Sequence, residues 1–507
     1  MTEPTPRQRP LVAIDRHVAD AGIDPTELHQ RLDHLLTVTR PRLARLWAYY
    51  RNPTRTAVVS PTSTGDTERA YRQAQEVGLP RRIVGPNHTF PSLDAGARRE
   101  VVIENDIGWR VDTMVDFLFG RPIRIRSLAP DPTRAAAISS LLRQVLTHHG
   151  GLPFLQQLAV VGMVHGQVDL LVKLVDVAPS AAGESSGSSG SELDPARIVE
   201  LAGRVRLEIV DPSCAVALVD DPAGATPDGV RAYAVIRTIP SAPVAARGMP
   251  AVEPVAGFGW RAWWRRRRGD RHDRQTERTP VTWIDLVTSD RWMRFRDGQL
   301  LGSGENALGR IPLVHVQNLA DPFEWTGAGD VAPLIPLQDE LNTRLSDRAH
   351  RITMQSFRMY LGKGIEQFTE QPVAPGRMWM TDNPDAQIVE FGGDAACPSE
   401  DAHVREIREA MDKVSGVTPI AAGILRHRIG RLTSGAALRV TLLALMARTQ
   451  RKRLTYGRGL AQACELALAW LDRAGLFRTD PHERAVEIDW PDPIDAIAGL
   501  TPSQTTA

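Results

Sequence analysis

Residues 398–417 read PSEDAHVREIREAMDKVSGV, residues 423–434 read GILRHRIGRLTS, and from Gly435 to Leu476 the chain meets no proline. Ser399 is placed to cap a helix, and Glu400 and Asp401 bring negative charge to a first turn whose dipole favours it. Val404, Ile407, Met411 and Val414 recur at spacings of three and four residues until Gly416 and Pro419 stop the pattern. Thr433 or Ser434 then caps a second helix, with Leu438, Leu442, Leu445 and Thr449 on one side. Unbroken from Ser434 to Ala474, it would span about 60 Å at roughly 1.5 Å per residue, more than a compact domain needs.

The charge of this stretch is one-sided. No Asp or Glu stands between Lys413 and Cys464, whereas Arg426, Arg428, Arg431, Arg439, Arg448, Arg451, Lys452, Arg453 and Arg458 do. Such a run is either a solvated face or a surface that meets anions. The whole chain does not decide between them: 61 Lys and Arg nearly balance 60 Asp and Glu among 507 residues, so only local distribution bears on a nucleic-acid partner. At 42% hydrophobic residues it can bury a sizeable core in two or more lobes. Cys214, Cys397 and Cys464 are far apart and form no C-x-x-C pair, which argues against a disulfide framework or zinc site and predicts reduced thiols. No metal or cofactor is expected. Met1 to Pro10 has no apolar core, and no uncharged apolar run of about 18 residues follows, so neither secretion nor membrane spanning is expected.

In chain order, Leu28, Leu32, Leu35 and Leu36, then Leu43, Leu46 and Trp47, predict two helices broken around Pro41. Ala57 to Asp94 reads as an extended arm. A helix from Asn105 ends at Gly120 before a strand at Pro122, and another helix runs from Ala135 to Leu146. Gly150, Gly151 and Pro153 interrupt the pattern before Phe154 to Val164, and Val168 to Val177 reads as a buried strand. His165 has no neighbouring carboxylate or nucleophile pattern and is assigned no chemistry. Gly183 to Ser191 is a linker, and strands follow at Val205 and from Val230 to Ile239. Trp260, Trp263 and Trp264 then stand against Arg265, Arg266, Arg267 and Arg268. That mixture suits stacking on bases, a membrane interface, a protein partner or a plain surface loop. Thr282 to Asp297 predicts a hairpin, and the fold class is α+β.

From Ile311 the sequence reads I-P-L-V-H-V-Q-N, then a glycine-containing link, then D-V-A-P-L-I-P-L-Q-D-E-L-N-T-R-L-S-D. This resembles the portal proteins of tailed bacteriophages, in the SPP1-like siphophage subfamily, where such a strand leads through Gly and Asp into a helix with Asp339, Asn342, Ser346 and Asp347 at these places. Leu337, Leu341, Leu345, Ile352 and Met359 give that helix an apolar stripe by spacing alone. N-D-I-G-W-R-V-D-T-M-V-D-F-L-F-G-R-P-I, from Asn105, is similar to the family's wing opening. The resemblance implies a wing over 1–329, a stem helix over 330–361, a clip over 362–397, a second stem helix over 398–417, a channel loop over 418–433 and a long helix over 434–476. Residues 477–507 would return to the wing, Glu487-Ile-Asp as a strand, with a crown short or absent.

What the resemblance implies is mechanical: a ring of identical subunits, twelve in the family, at one capsid vertex of the virion, through which double-stranded DNA passes without being read. Arg426, His427, Arg428 and Arg431 become channel-loop candidates, the arginines facing either phosphates or a neighbouring subunit. The implied partners are the terminase large subunit, the major capsid protein or scaffold, and head-completion or adaptor proteins, with assembly in the host cytoplasm. The rival class is a DNA-processing enzyme. A packaging ATPase should show G-x-x-x-x-G-K-[ST], but Gly362-Lys363 lacks the upstream Gly and is followed by Gly364. A nuclease needs converging carboxylates, and Asp285, Asp290, Asp382 and Asp385 form no recognisable pattern. A sequence-specific regulator would need a helix-turn-helix or zinc module, and none is recognisable.

Overall fold

The structure, a computed structural model, describes residues 14–51, 102–175, 194–220, 229–239, 281–356, 359–363, 383–391, 397–422 and 440–491. The expected arm, the Gly183 to Ser191 linker and the helix start at Thr433 or Ser434 lie outside these residues. The chain opens with α1 (Asp15–Asp20), α2 (Pro25–His34) and α3 (Arg40–Arg51). The break expected around Pro41 is absent: α2 runs into α3 through a π-helical turn, Leu35–Thr39, and Pro41 takes the first turn of α3. Proline lacks an amide hydrogen and crowds the carbonyl four residues back, and a widened turn accommodates both. α4 (Asp106–Phe119) is capped by Asn105, whose side chain accepts from the Gly108 amide at 2.9 Å.

The middle of the chain is mixed: β1 (Arg124–Ser127), α5 (Pro132–His148), α6 (Leu152–His165), β2 (Gln167–Leu174), α7 (Pro195–Arg204), β3 (Val205–Val210), β4 (Ala215–Val219) and β5 (Val230–Ile239). β6 (Val281–Thr288), β7 (Arg291–Arg296), β8 (Gln299–Glu305) and β9 (Leu313–Gln317) follow. α8 (Ile335–Ser356), β10 (Met359–Lys363), β11 (Gln387–Phe391), α9 (Pro398–Ser415), α10 (Leu443–Arg473) and β12 (Val486–Asp489) complete the fold. The fold is α+β, as the alternating periods predict. α1, α7, β4 and β8 were not expected from the sequence.

β4 to β8 form an antiparallel meander, and β3, β2 and β9 form a second antiparallel sheet. Ile284, Leu286, Met293 and Phe295 on one face of the meander pack against Val18, Leu28 and Leu32 of α1 and α2. Its other face meets the second sheet through Tyr233, Val235, Leu171, Val210 and Leu313. The largest core gathers α4, α5, α6 and α10 around β2 and β9. β12 pairs antiparallel with β1, which ties the end of the described chain back to residue 124.

Three expectations are corrected in the last third. Met359 is not on α8, which stops at Ser356; Met359 starts β10, which forms a hairpin with β11. Cys397, not Ser399, is the N-cap of α9, without a side-chain hydrogen bond, because Pro398 takes the first helical position, where a missing amide hydrogen costs little. Val414 is 38% exposed while Val404, Ile407 and Met411 are buried. On α10, Leu442 just before it, Leu445 and Thr449 are buried as their spacing predicts.

α6 ends at Gly166 with φ +93°, and a Cβ there would stand 2.2 Å from the carbonyl oxygen of Gly327. Only glycine satisfies both the left-handed turn and this approach of two backbones. Gly166→Ala should destabilise the chain by at least roughly 2 kcal/mol, the left-handed strain adding to the clash. Denaturant unfolding of both proteins checks this, and an unchanged midpoint would contradict it.

Candidate functional site

Arg426, His427, Arg428 and Arg431 lie outside the described residues, as do Trp260, Trp263, Trp264, Arg265, Arg266, Arg267 and Arg268. The Trp/Arg segment leaves β5 and re-enters at β6 where Ile239 and Val281 are paired, so both its ends are fixed on the meander. The residues on both sides of the basic segment are described. α9 closes at Gly416, φ +71°, whose amide donates to the Asp412 carbonyl at 2.8 Å. The Ser415 hydroxyl donates to the Met411 carbonyl at 2.8 Å and accepts from the Val417 amide at 3.1 Å. The chain then turns through Pro419–Ala422.

On the other side of the loop, α10 is held by a buried carboxylate. Arg448 donates to Asp330 Oδ1 from Nη2 at 2.8 Å and from Nε at 3.1 Å, and to the Val414 carbonyl from Nη1 at 3.0 Å. One guanidinium thus clamps the end of α9 to α10. Lys452, with no exposed surface, donates to Asp330 Oδ2 at 2.5 Å. Asn318 donates to the same oxygen at 2.9 Å and accepts from the Tyr456 hydroxyl at 3.3 Å. Arg448, Lys452 and Tyr456 are four residues apart and therefore line one side of the helix. Burial alone would raise the Asp330 carboxyl, but Lys452 and Arg448 outweigh it and hold it below the usual carboxylate range.

The basic run therefore divides. Arg448 and Lys452 neutralise Asp330, and Arg453 donates to the Pro491 carbonyl at 2.8 Å with its guanidinium 5.4 Å from the Trp490 ring. Arg451 and Arg458 are exposed.

The α8 motif acts as a ladder. Gln338 Oε1 accepts from the Ile107 amide at 3.2 Å and its Nε2 donates to the Glu104 carbonyl at 2.7 Å. Asn342 Oδ1 accepts from the Glu104 amide at 3.0 Å, and Ser346 Oγ accepts from the Val102 amide at 2.9 Å. These three side chains satisfy the backbone of residues 102–107 much as a neighbouring strand would. Of the residues expected here, Asn342 and Ser346 belong to the ladder. Asp339 instead accepts from the Tyr49 hydroxyl at 2.8 Å, and Asp347 lies 3.4 Å from Arg344 on the surface. Gln338 was not selected from the sequence, although its spacing of four from Asn342 was the available signal. Nearby, Arg408 pairs with Glu104 at 2.6 Å and buried Arg110 with Asp412 at 2.6 Å, fastening α9 to the same segment.

His165 is half-buried and stacks on Trp47 with ring centroids 5.6 Å apart. Burial pushes its pKa down to about 4, so it is neutral at pH 7. A second buried cluster joins the sheets: Asp169 accepts from the Tyr233 hydroxyl at 2.7 Å and meets His315 Nδ1 at 2.7 Å, while Trp325 stacks on His315 at 3.8 Å. Gly362 and Lys363 lie in the hairpin strand β10 rather than in a phosphate-binding turn. Asp285 pairs with Arg294 at 2.7 Å, and among the described residues no group of three His, Cys, Asp or Glu could hold a metal. Cys214, Cys397 and Cys464 are free, and burial pushes the Cys464 thiol up to about 12. No described helix is long and apolar enough to cross a membrane.

The described chain thus combines an antiparallel α+β body, the helices α8 and α9 with the paired strands β10 and β11 between them in sequence, and the long helix α10 beyond the basic segment. Residues 274–494 match the family model of phage portal protein, SPP1 Gp6-like, so the chain carries an SPP1-like portal region. The match takes in α8, α9, the basic segment and α10. Among curated proteins none matches the chain.

Two outcomes follow from the buried charges. Asp330→Ala should cost about 3–5 kcal/mol, because Lys452 would be left buried without its counter-ion; calorimetry on both proteins measures it, and a loss below about 1 kcal/mol would show that the pair is dispensable. His165 sets a pH dependence of opposite cause. Its stabilising neutral state is fully present above the ordinary histidine value near 6.5, and is lost as pH falls from there toward about 4, since the unfolded chain takes up a proton that the folded chain refuses. The loss should reach about 2–3 kcal/mol by pH 4.5. His165→Gln should flatten that part of the stability curve, and parallel curves for the two proteins would refute the assignment.

Proposed function

We propose that this chain is the portal subunit of a tailed bacteriophage, twelve copies closing into a ring at one capsid vertex through which double-stranded DNA is packaged and later ejected. The observation that carries this is the portal family match over 274–494, a region that contains an acid-free basic segment between two helices. In this reading α8 and α9 are the stem, the β10–β11 hairpin belongs to the clip, residues 418–433 are the channel loop and α10 is the long helix behind it. The meander and its helices form the wing.

The channel has to hold DNA and let every sequence pass, so phosphate contacts of moderate strength serve it better than contacts to base edges. Arg426, Arg428 and Arg431 supply such contacts from a loop whose flanks are fixed by Arg448 and Ser415. The ring performs no chemistry: the terminase motor docks on the clip and supplies the energy, capsid or scaffold protein surrounds the wing, and head-completion proteins later replace the motor. The Trp/Arg segment, whose flanking residues Ile239 and Val281 are paired on the meander, is a candidate contact for one of these protein partners or for DNA.

Replacing Arg426, Arg428 and Arg431 together by Ala should leave ring formation intact and lower the DNA content of particles, since the apolar faces of α9 and α10 are untouched. Electron microscopy of rings and DNA per particle, measured beside wild type, distinguish the outcomes. Equal DNA content would remove the loop's role, and broken rings would place the arginines at the subunit interface.

A further inference from the structure

α10 leaves one stripe uncovered. Leu443 and Leu454 are 65% and 67% exposed, and Val440, one turn before the helix, is 73% exposed. Ala447, Arg451 and Arg458 are exposed with them. At about 100° per residue, Leu443, Ala447, Arg451, Leu454 and Arg458 fall within an arc of roughly 80°, a continuous band about 23 Å long. Among the described residues neither Arg451 nor Arg458 forms an ion pair, and the stripe carries no acidic side chain. Apolar side chains at this exposure, in one line, fit a protein surface better than a phosphate backbone.

The opposite side of the subunit carries the complement. α4 is buried along most of its length, and its exposed positions include Asp112 and Asp116, one turn apart, a spacing at which like charges destabilise a helix. Asp112 accepts from the Tyr50 hydroxyl at 2.9 Å, and among the described residues Asp116 has no ion-pair partner. Burial and the neighbouring Asp112 raise the Asp116 carboxyl. The two helices meet where the Thr449 hydroxyl contacts the Met114 sulfur at 3.7 Å. Thr449 lies roughly 160° round α10 from the middle of the exposed stripe, and Asp112 and Asp116 each lie roughly 160° round α4 from Met114. The apolar and basic stripe and the acidic pair therefore point away from each other, at the same height, on opposite sides of one helix pair.

We propose that the α10 stripe of one copy docks against the Asp112 and Asp116 face of the next copy, as the repeating head-to-tail contact of the ring. The inference rests on the ring reading above and names its contact. A ring needs two different faces on opposite sides of each subunit, each complementary to the other, and a two-fold dimer does not. Leu443 and Leu454 supply the apolar centre of the contact, and Arg451 and Arg458 meet the carboxylates of the neighbour.

The test uses the full chain in four forms: wild type, Arg451→Glu with Arg458→Glu, Asp116→Arg, and all three substitutions together. Mass in solution and electron microscopy report assembly, and circular dichroism reports folding. Each reversal places like charges across the contact, a costly juxtaposition, and should shift the population from rings to the single chain of 55.8 kDa without changing the fold. The combined chain restores opposite charges and should recover rings. Either reversal assembling like wild type, or no recovery in the combined chain, overturns the contact while leaving the ring reading in place. Intact rings with reduced DNA would overturn it in favour of a stripe that faces the channel. A wild-type chain that remains a single copy removes the ring reading itself, and the contact with it.

Discussion

Asp330 is the point on which the described structure turns. Its carboxylate lies out of water, where an unpaired charge would be costly, and it stays ionised because Lys452, Arg448 and Asn318 converge on it. A buried ion pair of this kind adds little to net stability compared with a well-packed apolar pair, and its value lies in specifying one arrangement. Here it fixes the rotation and register of α10. Lys452 can reach Asp330 only if Arg448 and Tyr456 face the same way, and Arg448 can then clamp the end of α9. The same aspartate has its own amide bonded to the Met163 carbonyl at 2.7 Å, so α6, α9, α10 and the link after β9 share one anchor.

The legible parts of this fold were those governed by local rules. The apolar spacing of α9, the helix from Asn105 to Gly120, the alternation of β6 and β7 and the buried run of β2 all follow from patterns within one element. The missed parts carry weak local patterns. α7 is short, and β4 and β8 pair with the neighbouring strands β5 and β7, β8 directly after the Asp297-Gly298 turn, although Gln299–Glu305 shows no apolar alternation. The Pro41 expectation failed because a proline forbids one hydrogen-bond pattern without forbidding a wider turn. Met359 continues the apolar stripe of α8 by spacing, and is drawn into β10 by its partner strand, 24 residues or more away along the chain.

The basic segment shows why charge read along a sequence is ambiguous. Nine basic side chains between Val414 and Ala463 look alike as a string. In the fold, Arg448 and Lys452 face inward to a carboxylate contributed from more than a hundred residues earlier, Arg453 packs on Trp490, and Arg451 and Arg458 face outward. The distinction rests on the position of each residue around one helix and on where Asp330 sits, and neither is visible in composition. The proposed channel residues Arg426, His427, Arg428 and Arg431 lie outside the described residues, and around them the anchors at Asp330, Arg448 and Lys452 were not legible in the sequence.

The contacts on both sides of residues 423–439 have a mechanical consequence. The Ser415 and Gly416 turn closes α9, and Arg448 joins the end of α9 to α10. A pull on the intervening residues would be delivered to these contacts rather than absorbed by a swinging helix, because the packed core behind them resists continuous deformation. The Gln338, Asn342 and Ser346 ladder extends the same logic along α8, holding residues 102–107 by backbone hydrogen bonds that do not depend on the shape of an apolar contact. Under the ring reading proposed above, these contacts would hold the described frame on both sides of residues 423–439 in place while a duplex passes.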